Sequence, residues 1–383
     1  ANMTESPFSS ASKAPDVTGR ERFLTVLNNE KPDRLPCQVH GWMGAYLRGY
    51  LDGRDPWQAY EYVGMDPVVY VPAPPIFDEA DRADWQERDT DLGLAADGNR
   101  HTVVAIETPG GTLTMRKAAN AHTGWITEHL IKSERDFELW SKYVPVPVDF
   151  DQRPWAEAKQ RIGDRGIVRA KVFNFGQGAA WQDVCGVLMD TEQAILAAMD
   201  RPEWVEHMVA DITAKRVGMW ERVGRLACDI VETGGGAGSS TVISPALHER
   251  FCLPYDRLQH AALHEAGGAK VVYHLCGGVM PLLELAADNG ADGLETMTPP
   301  SMGGDCDLAE ATRRIGDRRF FIGGFDQNAG FVRGTPEGIR QQVQRLHAAC
   351  PDGGYICSPS DHFFSGDPEN IRHFARCCRA CTY

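Results

Sequence analysis

A histidine and a cysteine stand two positions apart in the segment VVYHLCGGVM, residues 271–280. Strand-forming residues precede His274, and two glycines follow Cys276, so we expect both residues at the end of a buried strand. Because residues i and i+2 of a strand point to the same side, the imidazole and the thiol project together. This pair of donors predicts half of a zinc site. In the alternative interpretation, Cys276 is a core thiol beside a histidine bonded to the backbone.

A complete metal site needs further ligands, and the last apolar run of the chain offers candidates. The segment GGYICSPSDHFFSGDPENI, residues 353–371, contains Cys357 in a predicted strand and then Asp361 and His362 in the following loop. If the first and last strands of a barrel are neighbours, this loop faces the same pocket as His274.

Titratable residues also lie at the ends of four other predicted strands. These residues are His40, Glu232, Glu295 and Asp326. Together they predict a polar site, although each one alone is more often a cap or a solvated loop residue. We assign Glu232, Asp361 and His362 to acid–base catalysis, and His40, Glu295 and Asp326 to substrate binding.

The elements that must position these residues are short apolar runs separated by helical patterns. The runs are residues 35–40, 67–71, 166–173, 228–232, 269–274, 291–297, 319–325 and 353–358. Continuous rather than alternating runs are typical of parallel strands covered by helices. In one helical pattern, Thr335 predicts a cap and Pro336 a first helical residue. Eight such strand–helix repeats predict an α/β fold, a (β/α)8 TIM-type barrel.

One stretch interrupts this rhythm. Residues 101–119 alternate between polar and apolar types on both sides of Pro109-Gly110-Gly111, which is a hairpin pattern. We therefore predict an antiparallel β insertion at about residues 80–130, after the second strand of the barrel.

Length and composition limit the classes of protein. The chain has 383 residues and a net charge of −14, which argues against nucleic-acid and anionic-membrane partners. Eleven cysteines, an odd number, favour reduced thiols in a cytoplasm. Residues 1–18 are polar and rich in serine, so we expect a disordered leader before one domain at residues 19–383.

From about residue 18 to the end, the chain resembles the uroporphyrinogen decarboxylase superfamily. Within it, the chain is most similar to the zinc-dependent, corrinoid-linked methyltransferase branch. The resemblance lies in TGRERFLTVLNNEKPDRLP (residues 18–36), FNFGQGAAWQDVCG (173–186), the segment from Ser239 to Gly278, and residues 353–371.

This resemblance implies a zinc-dependent methyltransferase or demethylase. A methyl group would move between a corrinoid, or a methylated small substrate, and a thiol-type acceptor. The methyltransferases use a His-x-Cys pair, matched here by His274 and Cys276, and a cysteine in the final loop. That cysteine falls near Ser360 and Asp361 here, so we predict Cys357 as the third zinc ligand, with Asp361 or His362 as the alternative.

The resemblance also implies partners and a substrate pocket. The partners would be a small methyl donor or acceptor and a corrinoid protein, and the sequence also allows a homodimer. Aromatic residues predicted to line a pocket for a methoxy-aryl or methylammonium group are Trp42, Tyr46, Trp125 and Trp181. Such aromatic residues are more often part of a core.

Two other functions stay open. The decarboxylases of the superfamily grip substrate carboxylates with an arginine-rich R-Q-A-G-R segment, where this chain reads HGWMGAYLRGY (residues 40–50) and has only Arg48. One alternative is nevertheless a metal-independent decarboxylase or lyase on the same barrel. The other is a catalytically silent protein that binds a small molecule.

Overall fold

Seven parallel strands form one curved sheet in the computed structural model, which describes residues 16–172 and 178–383. The strands within these residues are β1 (Val68–Pro72), β2 (Pro75–Ile76), β3 (Gln86–Leu94), β4 (Arg100–Thr108), β5 (Gly111–Ala119), β6 (Gly124–Glu128), β7 (Asp149–Phe150), β8 (Ile167–Lys171), β9 (Ile230–Gly234), β10 (Lys270–His274), β11 (Gly293–Thr296), β12 (Phe320–Phe325) and β13 (Tyr355–Pro359). The order in the large sheet is β1-β8-β9-β10-β11-β12-β13, and all of these pairs are parallel.

The first predicted strand, residues 35–40, occupies the eighth strand position of the barrel, between β13 and β1. Its backbone pairs with β13, because Gln38 N donates to Cys357 O at 3.0 Å and Cys357 N donates to Pro36 O at 3.0 Å. On its other side, the ring of His40 is hydrogen-bonded to the hydroxyl of Tyr70 in β1. The prediction of a TIM-type (β/α)8 barrel is therefore confirmed.

Helices lie between the strands and cover the sheet. Within the described residues they are α1 (Gly19–Leu27), α2 (Gly44–Tyr50), α3 (Pro56–Val63), α4 (Glu79–Ala83), α5 (Glu134–Tyr143), α6 (Arg153–Ile162), α7 (Ala180–Asp183), α8 (Thr191–Asp200), α9 (Pro202–Val223), α10 (Pro245–Phe251), α11 (Leu253–Ala266), α12 (Leu283–Ala287), α13 (Leu308–Ile315), α14 (Pro336–Ala349) and α15 (Pro368–Ala380). Thr335 caps α14 as predicted, since its hydroxyl accepts the N–H of Gly338. None of these helices, within the described residues, is both long and apolar enough to cross a membrane.

Side chains that point into the barrel form layers. The lowest layer is apolar and includes Ile167, Ile230 and Val272, which pack with Phe23 of α1. Two positions further along β8, β9 and β10, the same inward direction is taken by Arg169, Glu232 and His274. A charged layer therefore lies above the apolar layer, toward the carboxyl ends of the strands.

The predicted insertion is also confirmed. Strands β3 to β6 form a separate antiparallel sheet, and the β4–β5 hairpin turns between Thr108 and Gly111. One face of this sheet carries the buried residues Val104, Ile106 and Leu113. This apolar face must pack against another part of the molecule.

Parts of two predictions lie outside the described residues. These parts are residues 1–15 of the predicted leader and position 173 of the third predicted strand. The first helix begins at Gly19, and its capping box is formed by Thr18 and Glu21.

Candidate functional site

Arg169 is at the centre of the charged layer and is fully buried. Its guanidinium donates to Glu295 Oε1 at 2.6 Å, to Glu295 Oε2 at 2.5 Å and to Glu232 Oε2 at 2.5 Å. It also lies 4.8 Å from the centre of the Tyr70 ring. Two carboxylates are thereby held next to one cation, inside the barrel.

Glu295 contacts two histidines as well as Arg169. Its Oε1 lies 3.2 Å from Nδ1 of His40, and its Oε2 lies 3.2 Å from Nδ1 of His274. The two imidazole rings are 4.8 Å apart. A carboxylate bonded to one ring nitrogen sets the orientation of an imidazole and directs its other nitrogen outward.

The other nitrogen of His274 faces the thiol predicted from the sequence. Its Nε2 lies 2.7 Å from Cys276 Sγ, which donates to Asp361 Oδ2 at 3.1 Å. Nitrogen, sulfur and oxygen donors of these three residues all lie within 4.8 Å of one another. Gly277 follows with a φ of 104°, and a Cβ there would lie 2.7 Å from Thr241 Oγ1, so the glycine is required at this turn.

The electrostatics of the layer follow from burial and from these contacts. Burial alone would raise the pKa of Glu295, but Arg169 and the two histidines hold that pKa well below its usual value. Burial alone would lower the pKa of His274, but Glu232, Cys276 and Glu295 raise it well above its usual value. Burial raises the pKa of the Cys276 thiol, against the opposing effect of His274.

For the pKa of Asp361, the neighbouring groups outweigh burial. Burial would raise its pKa, but His274, the N–H of His362 and the Cys276 thiol together lower that pKa below its usual value. The Asp361 carboxylate is therefore an ionised oxygen donor beside His274 and Cys276 at neutral pH.

Cys357, predicted as the third zinc ligand, lies elsewhere. It is fully buried between the sheet and α15, where it is hydrogen-bonded to Cys378, whereas its neighbour Ile356 points into the barrel. Asp361, the alternative ligand, is the residue that lies beside His274 and Cys276. The strand period of two explains the difference, because Cys357 has the outward position.

The other predicted residues are divided between the site and the core. His40, Trp42, Glu232 and His362 line a cavity of about 310 Å³ at the barrel mouth. Trp42 Nε1 is buried without a hydrogen-bond partner there, so it can donate to a bound molecule.

The remaining predicted site residues lie in the core, in a turn or at the surface. Trp181 is packed in the core, stacks on Phe251 and donates from Nε1 to Ala237 O. Asp326 accepts the N–H of Ala329 and so closes the turn after β12. Tyr46 is buried and Trp125 is 39% exposed.

Two residues of the charged layer, Arg169 and Tyr70, were missed in the sequence. Arg169 stands in the middle of the apolar run GIVRAKVF. A charged residue inside a buried strand needs a partner of opposite charge, so the run itself contained the signal. Tyr70 offered no comparable signal, since tyrosine is common in strands.

A larger cavity, of about 670 Å³, lies between the barrel mouth and the antiparallel sheet. Glu232 and His274 lie on its barrel side, and Glu87, Ile106 and Met115 of the insertion lie on its other side. Apolar side chains complete most of its wall, including Trp85, Leu130, Trp140 and Val144. The insertion thus covers the charged layer and forms one wall of a space that is large enough for a small molecule.

The donor set fits zinc. Three protein ligands of the types His, Cys and Asp, at the open end of a barrel, match a catalytic zinc site that keeps one position for substrate. The contact of Glu295 with His274 Nδ1 is the outer contact that such ligands require.

The sequence of this chain is similar to those of known enzymes. A family model described as uroporphyrinogen decarboxylase (URO-D) matches residues 160–381. A uroporphyrinogen decarboxylase of Neisseria meningitidis serogroup C is 35% identical over 188 residues, which are 45% of this chain and 47% of that protein. The enzyme of the same name from Pseudomonas putida is 30% identical over 236 residues, 56% of this chain and 62% of that protein. The chain spans about half the length of the curated relatives it matches.

A solved structure shares the fold along most of the chain. It is a methyltransferase from Methanosarcina mazei, with a TM-score of 0.60 and 13% sequence identity. The match covers 94% of this chain and 98% of the other.

Proposed function

Because this chain belongs to the uroporphyrinogen decarboxylase family, we propose that it is a zinc-dependent methyltransferase or demethylase. The methyl group moves between a corrinoid, or a methylated small substrate, and a thiol-type acceptor. The single observation that carries the proposal is the group of His274, Cys276 and Asp361 at the barrel mouth, whose donor atoms lie within 4.8 Å.

The residues of the chain have distinct roles in this proposal. Zinc bound by His274, Cys276 and Asp361 would lower the pKa of an acceptor thiol and so supply a thiolate at neutral pH. Glu295 holds the ring of His274 in place, and Arg169 neutralises part of the charge of the two buried glutamates. Apolar side chains form most of the wall of the larger cavity, which His274 borders.

The transfer itself is a displacement at the methyl carbon. The acceptor sulfur forms the new bond to carbon, and the electron pair of the broken bond stays with the donor. The proton of the acceptor thiol passes to a group at the mouth, for which Glu232 and His362 are the candidates, since Asp361 is a zinc ligand in this proposal.

The negative charge of the molecule disfavours acidic partners. With a net charge of −14, we expect no binding to nucleic acid, and we propose that any protein partner is a corrinoid carrier. The larger cavity is bordered by Glu87, Asp183 and Glu232, and these carboxylates favour a neutral or cationic substrate over an acidic one.

Decarboxylation is the second candidate, and it is favoured by the sequence similarity to uroporphyrinogen decarboxylases. Neither Arg48 nor Arg169 can supply the arginine clamp for substrate carboxylates. Arg48 is exposed on α2, and Arg169 is already bound to Glu232 and Glu295. A substrate with several carboxylates would therefore need other cations.

Elemental analysis of the protein purified without chelator tests the proposal. We expect stoichiometric zinc, together with turnover of a methyl-corrinoid by a thiol acceptor. Cys276→Ser should fold, bind less zinc than the wild type and lose turnover, whereas Cys381→Ser, at the end of α15, should keep the zinc content and turnover of the wild type.

Other results would contradict the proposal or favour one of the alternative functions. A wild-type protein that stays metal-free after zinc supplementation would overturn the proposal. Decarboxylation of a uroporphyrinogen by metal-free protein would establish the second candidate. A folded protein that turns over neither substrate would favour a silent binding protein.

A further inference from the structure

Asp361 belongs to two groups of donor atoms. One group is formed with His274 and Cys276, and the other with His40 and His362, and within each group the donors lie within 4.8 Å of one another. The two oxygens of the carboxylate face different partners. Oδ2 accepts the Cys276 thiol at 3.1 Å, and Oδ1 accepts the backbone N–H of His362 at 2.7 Å.

Glu295 orients one histidine in each of the two groups. One of its oxygens is bonded to Nδ1 of His40 and the other to Nδ1 of His274, each at 3.2 Å. His40 also uses Nδ1 in its bond to Tyr70. The bonds at Nδ1 leave the Nε2 atoms of both histidines as the ligand nitrogens, which is the arrangement of histidines that bind metals.

His362 completes the second group. Its ring lies 4.5 Å from the ring of His40 and is hydrogen-bonded to the backbone of His40. Two imidazoles and a carboxylate are then adjacent at the mouth of the smaller cavity, beside Trp42. This donor set, two nitrogens and one oxygen, suits zinc without a thiolate.

The charge of the layer accommodates a second cation. Metal binding at the first group would deprotonate the Cys276 thiol and leave His274 neutral. Glu232, Glu295, Asp361 and this thiolate would then oppose one buried guanidinium, that of Arg169. One divalent ion leaves these groups with a net negative charge. The nearby cation Lys171 is exposed and is therefore partly screened by solvent.

We propose that this barrel holds two divalent ions bridged by Asp361. His274 and Cys276 bind the first ion, and His40 and His362 bind the second. The second site adds a position for a substrate heteroatom in the smaller cavity, as two-metal sites do. The inference rests on the metal site of the proposed function, but it does not depend on methyl transfer.

Zinc stoichiometry tests the inference directly. Protein stripped with a chelator is titrated with zinc by calorimetry, and bound zinc is then measured by elemental analysis after desalting. We expect two ions per chain for the wild type, one for His362→Gln and about a hundredfold weaker binding at both sites for Asp361→Asn. The control His101→Gln, in the antiparallel sheet, should still bind two.

A single ion in the wild type, with the same stoichiometry in His362→Gln, would overturn the second site and leave the proposed function intact. No bound ion in the wild type would overturn both.

Cobalt gives a second readout that separates the two sites. Only the first site has a thiolate, so the thiolate-to-cobalt absorption band should appear in the wild type and in His362→Gln. Cys276→Ser should lose that band and still bind one cobalt ion. A Cys276→Ser protein that is folded and binds no cobalt would contradict an independent second site.

Discussion

At the scale of single residues, the direction of the Cys357 side chain decides whether it can belong to the proposed ligand set. Ile356, Cys357 and Ser358 follow one another in β13, and only the first and third share the inward direction. Cys357 has the softer donor, but its thiol lies against α15. Asp361 reaches Cys276 because the chain has already left the strand and turned across the mouth.

Substitution of Cys357 tests this difference. We expect Cys357→Ser to keep full zinc content and to lose about 1–3 kcal/mol of unfolding free energy, because a hydroxyl replaces a thiol in an apolar site. Chemical denaturation and elemental analysis measure the two quantities. A folded Cys357→Ser protein without zinc would restore Cys357 as a ligand.

The charged layer also depends on one residue, Arg169. Replacing it by methionine leaves Glu232 and Glu295 buried without their cation, so we expect Arg169→Met to lose about 3–5 kcal/mol of unfolding free energy. The exposed Arg48→Met is the matched control and should change stability by less than about 0.5 kcal/mol. Equal stability of the two variants in urea would show that the layer is not held by this ion pair.

At the scale of elements, the antiparallel insertion forms a wall of the larger cavity. Alternation along β5 directs Met115 toward the cavity and Thr112 toward solvent. The insertion therefore limits which molecules reach His274 and Glu232.

Filling the cavity from this wall tests its role. We expect Met115→Trp to raise the KM for the substrate by roughly tenfold, which corresponds to about 1.4 kcal/mol of lost binding, and to leave zinc content unchanged. Thr112→Trp, on the solvent face of the same strand, should leave KM unchanged. Unchanged KM in both variants would place the substrate outside this cavity.

The helix behind β10 introduces a pH dependence. Asp256 of α11 is buried, one of its oxygens has no hydrogen-bond partner, and burial raises its pKa to about 7. A carboxyl group whose pKa is raised in the folded protein contributes stability that is present at low pH. That stability is lost as the pH rises from the unfolded value, about 4, through the folded value.

Asp256→Asn should remove this loss. We expect the unfolding free energy of the variant, relative to the wild type, to increase by about 1.4 kcal/mol per pH unit between about pH 4 and pH 7, and to be constant above that range. Urea denaturation at several pH values measures it. Parallel pH profiles for the two proteins would show that Asp256 is ionised when folded.

At the scale of the whole molecule, the barrel has a core that does not include the proposed ligands His274, Cys276 and Asp361. Apolar side chains fill the interior below the charged layer and the space between sheet and helices. Removal of zinc should therefore abolish turnover while the secondary structure is retained. We expect the Tm to fall by only a few degrees, since a ligand at 100 times its Kd adds about 2.7 kcal/mol. Loss of the helical circular-dichroism signal on chelation would contradict this.

Much of the fold followed from local patterns in the sequence. Apolar runs, a capping threonine and the turn at residues 109–111 predicted the strands, the helices and the insertion, because each pattern acts over a few neighbouring residues. The pairing of His274 with Cys276 was likewise readable, since two positions in one strand always share a side.

Only the tertiary structure decided which distant residues complete the site. Asp361 comes beside His274 and Cys276 from the loop after β13, and Glu295 reaches His274 from β11. Arg169 joins the layer through its partners on β9 and β11. The sequence named Asp361 only as an alternative to Cys357, and it named Glu295 as a substrate-binding residue without pairing it with His274. The physical reason is that the inward positions of separate strands meet only when the sheet closes, and the relative height of each strand is set by packing of the whole barrel.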